Sequence, residues 1–113
     1  MTRQEVAQMI AEMGIPYAYY QFPHGTEQAP PFVCFFYSQS DDVYADDTNY
    51  RKIAQLNIEL YTREKDFDKE STLEQILNNH GLTYHKYESY IDSERMWQVA
   101  YETQVFIDEP NQD

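Results

Sequence analysis

Four aspartates, Asp41, Asp42, Asp46 and Asp47, crowd one connection of this 113-residue chain, and their type is the one most suited to chemistry. Hard cations such as calcium take several carboxylate oxygens from a flexible turn, but the spacing lacks the alternating ligands and central glycine of an EF-hand loop. The loop therefore reads as solvated or partner-facing, with no metal expected. Val43, Tyr44 and Tyr50 add apolar surface where a mere spacer would need none. Such a segment either folds back on its own sheet or touches another subunit. The expected partner interface is thus Asp41, Asp42, Val43, Tyr44, Asp46, Asp47 and Tyr50.

The other reactive residues form no catalytic pattern. His24, His80 and His85 fall in a loop, at a helix end and on a strand, with no metal-type spacing and no cysteine pair beside them. A histidine at a helix C-terminus has its own explanation in the helix dipole. Cys34 lies in the apolar run Phe32 to Tyr37 and reads as a buried packing residue. Asp66, Asp68, Glu70 and Glu74 open a helix, where carboxylates complement the dipole and form a solvated face. The only glycines are Gly14, Gly25 and Gly81, which fit turns and helix ends and make no phosphate-binding loop. The expectation is a protein that is not an enzyme and carries no cofactor.

Charge narrows the partners. Twenty acidic residues against eight basic ones give a net charge of −12, which opposes adhesion to phosphate backbones and anionic membranes. No run of about 18 apolar residues could span a bilayer, and no signal-peptide pattern opens the chain. At 16% aromatic, with 11 tyrosines, the composition favours half-buried surfaces and interfaces over a dry core.

The elements that must position these residues follow from capping and periodicity. Thr2 and Glu5 form a capping box, and Val6, Met9, Ile10 and Met13 continue a helix that Gly14, Ile15 and Pro16 stop. Strands are expected at Tyr17 to Phe22, at Phe32 to Gln39 (apolar on both sides), and at Tyr50 to Arg63, with Ser38 to Asn49 as a protruding polar connection. Asp66 caps a second helix, with Phe67, Leu73, Ile76 and Leu77 as its apolar face, ended by Gly81. Thr83 to Ile91, a turn at Asp92 to Arg95, and Met96 to Ile107 complete the sheet; Trp97, Val99, Tyr101, Thr103, Val105 and Ile107 share one face.

A weak repeat supports this reading. Gln8, Gly14, Tyr17 and Tyr20 match Gln75, Gly81, Tyr84 and Tyr87 at one offset, so each half is expected to supply a helix and a hairpin. The expected fold is α+β in the order α-β-β-β-α-β-β: a two-layer sandwich of a mostly antiparallel five-stranded sheet with two helices on one face. Residues 1–107 form one domain and 108–113 a flexible polar tail. Gln55, Asn57, Glu59, Gln98, Glu102 and Gln104 are left on a polar face with no helix over it.

Three segments give the chain a resemblance: Ser40-Asp41-Asp42 through Ala45-Asp46 to Tyr50, Asn57-Ile58-Glu59-Leu60-Tyr61-Thr62, and Ile91-Asp92-Ser93-Glu94 into Trp97-Gln98-Val99-Ala100-Tyr101. Together with the element order they resemble the tail terminator or tail-completion proteins of long-tailed bacteriophages and their prophages. Asp47 departs from the glycine expected in many relatives. The resemblance implies a virion structural protein, assembled in the host bacterial cytoplasm, that forms a ring, commonly a hexamer, at the head-proximal end of the tail. Its partners would be its own copies, the tail tube protein and the head-tail connector, with DNA passing unbound and no membrane involved. Two rivals remain: a head-closure or adaptor protein of the same connector, and an acidic DNA mimic that inhibits a host enzyme.

Overall fold

The computed structural model describes residues 1–40, 43–44 and 50–108. Helix α1 (Arg3–Ala11) begins as its sequence demands: the Thr2 hydroxyl accepts the Glu5 amide and the Glu5 carboxylate accepts the Thr2 amide. The chain then enters β1 (Tyr17–Tyr19), β2 (Phe32–Ser40), the two-residue β3 (Val43–Tyr44) and the long β4 (Tyr50–Thr62). Helix α2 (Phe67–Asn79), capped by Asp66 through the Lys69 amide, leads to β5 (His85–Ile91) and β6 (Met96–Ile107).

The main sheet has the order β1-β2-β4-β6-β5, while β3 pairs with the start of β4. All pairings are antiparallel except that of β1 with β2. Register puts Val33 beside Leu60 and Leu60 beside Val99, Phe35 beside Ile58 and Ile58 beside Tyr101. One layer of side chains therefore faces one way across three strands, and it packs with Val6, Met9 and Ile10 of α1 and Leu73, Ile76 and Leu77 of α2 in a single core. Fully burying each such aliphatic side chain is worth about 1.5–3 kcal/mol. Two helices thus cover one face of a mostly antiparallel sheet, the α+β sandwich expected from the periodicity.

The repeat builds the two edges of the sheet. Gly14 and Gly81 both end a helix at φ 73°, a left-handed conformation in which a side chain is strained. Ile15 and Leu82 then pack back on the core, and the chain runs into β1 on one edge and β5 on the other. The halves are not two hairpins, however. A long loop separates β1 from β2, so the two run parallel, whereas the tight turn before Met96 forces β5 and β6 antiparallel.

The start of α2 also differs from the sequence reading. Phe67 is 69% exposed, standing against the Lys65 ammonium, and the buried position one turn on belongs to Glu70, at 2%. Glu70 and Glu74 are therefore not a solvated face. Lys65 lies 2.7 Å and Lys86 2.9 Å from the Glu70 carboxylate, and Lys86 reaches Glu74 at 2.7 Å. The Tyr101 hydroxyl donates to Glu74 at 2.8 Å. Helical spacing shows which residues share a face, but not that lysines from the β4–α2 link and from β5 converge there.

Candidate functional site

Strand alternation sends every second residue of β2, β4 and β6 away from the helices. On that side lie Gln55, Asn57 and Glu59 of β4 and Gln98, Glu102 and Gln104 of β6, as their polarity predicts, in register with one another. They are cross-linked: Gln55 Nε2 donates to Glu102 Oε1 (3.3 Å), Gln98 Nε2 donates to the Tyr61 hydroxyl (2.7 Å), and that hydroxyl donates to Glu59 Oε1 (2.8 Å). Asn57 is 9% exposed, and its Nδ2 has no hydrogen-bond partner among the described residues. A buried donor left unpaired costs about 1–3 kcal/mol, so this face holds hydrogen-bonding capacity that the fold does not use.

Toward the β1 edge the same face becomes aromatic. Tyr20, at φ 69°, ends β1 and swings the following segment over β2. Its ring meets Phe36 edge-on at 5.7 Å and that of Phe22 meets Phe32 at 5.4 Å, while Phe32 stacks on Tyr61 at 4.8 Å. Between Phe32 and Phe36 on β2 stands the small Cys34, directly opposite Glu59 on β4. The result is an open cleft of about 720 Å³ between the sheet and the segment carrying Tyr20, Phe22, Glu27 and Gln28. Cys34 is 5% exposed, as its apolar run predicts; burial, and next the Glu59 charge, push its thiol up to about 11. It stays protonated and unreactive at neutral pH. Burial, reinforced by the bond to Glu59, likewise raises the Tyr61 phenol.

At the far edge, β5 presents an exposed strand from His85 to Tyr90. Lys86 and Glu88 on this edge are the kind of charges that discourage unintended strand pairing.

The structure joins the expected interface residues only in part. Val43 and Tyr44 form β3, and the ladder sets Tyr44 opposite Tyr50 and Val43 opposite Arg51, pairing β3 with the start of β4. Asp41, Asp42, Asp46 and Asp47 lie outside the described residues. The histidines do not converge: His24 is 3.7 Å from Glu27 at the cleft rim, His80 Nε2 is 2.8 Å from Glu12 where the two helices end, and His85 lies on β5. Among the described residues no group of three or more His, Cys, Asp or Glu side chains is placed to hold a metal.

The aromatic cleft went unrecognised in the sequence. Its floor was legible, because Phe32, Cys34 and Phe36 alternate along one strand and Glu59 and Tyr61 along another. Its wall was not, because it depends on the left-handed turn at Tyr20, a residue type that rarely takes one.

No protein-family model matches the sequence, and no curated protein matches it. Among solved structures, the chain is similar to one in the virion of a native gene transfer agent (GTA) particle, with a TM-score of 0.67 and 15% identity over 94% of each chain. At that identity the likeness is one of fold.

Proposed function

We propose that the chain is a virion structural protein of phage type, a tail-terminator or tail-completion subunit acting at the head-proximal end of the tail tube. The observation that carries this reading is the near end-to-end likeness in fold to a chain of the GTA virion, 94% of each. The uncovered sheet face supports it: a wet, polar and aromatic surface suits contact with other proteins better than a dry core would. The reading assigns no catalytic activity. Identical subunits set head to tail close into a ring, commonly a hexamer, and such a ring would stop tube growth and offer the connector a docking surface. With a net charge of −12, carboxylates around the lumen would repel DNA and let it pass.

Deletion of the gene followed by electron microscopy of the particles tests the role. Overlong or unjoined tails are expected, and normal virions would overturn it. Full heads that leak DNA beside tails of normal length would instead identify a head-closure protein. A ring whose lumen is neutral or basic would defeat the repulsion argument alone.

A further inference from the structure

We propose that the cleft at the β1–β2 edge is a binding site for an arginine side chain presented by a partner protein. The inference concerns the cleft alone and holds whatever particle the chain belongs to. Three observations carry it. The small Cys34 leaves a hollow between the rings of Phe32 and Phe36, and the turn at Tyr20 walls it with Tyr20 and Phe22. Glu59 stands across the hollow with Oε1 taken by the Tyr61 hydroxyl, while Oε2 has no hydrogen-bond or ion-pair partner among the described residues. Glu27 adds a second carboxylate at the rim, and among the described residues no lysine or arginine lines the cleft.

These features select among ligands. An anion would meet two carboxylates and, among the described residues, no lysine or arginine, and a purely apolar group would strand the free oxygen of Glu59 away from water. Two carboxylates among five aromatic rings are too few oxygens for a hard metal. A guanidinium fits every term: its plane lies against aromatic faces, its fork of N–H donors meets a carboxylate, and it sheds water more readily than an ammonium does.

The test is an NMR titration of the full chain with the peptide acetyl-Gly-Arg-Gly-amide, using the same peptide with neutral citrulline in place of arginine as the control. Shifts are expected at Tyr20, Phe22, Phe32, Phe36 and Tyr61, with citrulline binding about tenfold weaker or worse. Glu59→Gln should weaken the arginine peptide about tenfold. Cys34→Leu, which fills the hollow and leaves every charge in place, should do the same. Glu88→Gln removes the same charge outside the cleft and should change binding less than about twofold, since exposed charges are screened beyond a Debye length. Equal response to citrulline would overturn the proposal. So would shifts spread over the acidic surface with Glu59→Gln and Glu88→Gln equivalent.

Discussion

Glu70 and Glu59 occupy opposite sides of one sheet and are handled in opposite ways. On the helix side, Glu70 is 2% exposed and lies within ion-pair distance of two lysines. On the open side, Glu59 accepts from a tyrosine hydroxyl and has no cation beside it among the described residues. Lys65 and Lys86 are both committed beneath α2, each shared between Glu70 and one further carboxylate. A buried carboxylate must be neutralised within the fold, because its desolvation cost is several kcal/mol, whereas a carboxylate at a wet surface can wait for a partner. The difference between the two sides is a difference between holding the fold together and leaving a surface to be read.

The comparison breaks most visibly at Glu70. Glu70→Ala removes the counter-charge that Lys65 and Lys86 share, leaving Lys65 with Glu88 and Lys86 with Glu74, and urea denaturation should show a loss of about 2–3 kcal/mol. A loss below about 1 kcal/mol would mean that the cluster is solvated after all.

Acid titration sharpens the same side. Burial alone would raise the Glu74 carboxyl, but hydrogen bonds from Lys86 and Tyr101, with the lysine charges, hold it below its ordinary 4.5. A depressed carboxyl contributes stability that is complete above its unfolded pKa and is lost as pH falls through the folded one. Stability should therefore drop below pH 4.5, and Glu74→Gln should flatten that drop while costing about 1 kcal/mol at neutral pH. On the alkaline side Lys86 behaves conversely: burial lowers its pKa, but bonds to Glu74 and Glu70 outweigh burial and raise it above 10.5. Its contribution is present below that value and is lost as pH climbs through the raised one.

The smallest effect belongs to the open side. Glu59→Gln keeps an acceptor for Tyr61 and removes only a surface charge, so denaturation should move by less than about 0.5 kcal/mol while arginine-peptide binding falls. A stability loss as large as that of Glu70→Ala would erase the distinction between the two faces.

The sequence reading reached the face but not the cleft. Alternation placed Gln55, Asn57, Glu59, Gln98, Glu102 and Gln104 on the side away from the helices, because a strand's period of two is fixed by backbone geometry. The expected interface loop proved to include β3 and its pairing with β4, while its four aspartates lie outside the described residues. Phe67 and Glu70 exchanged their expected environments because the hydrophobicity of one helix position is silent about which charges other elements bring to it.

By itself the sequence determined the elements and their faces: the capping box at Thr2, the glycine stops at 14 and 81, the apolar faces of β4 and β6, and hence two helices on one side of a sheet. These are local consequences of backbone sterics, capping and periodicity. Only the tertiary structure decided that β1 runs parallel to β2, that Lys65 and Lys86 meet over Glu70, and that Tyr20 turns its segment over Cys34 and Glu59. Each of these joins residues far apart in the chain, through loop closure or side-chain convergence that no local pattern encodes.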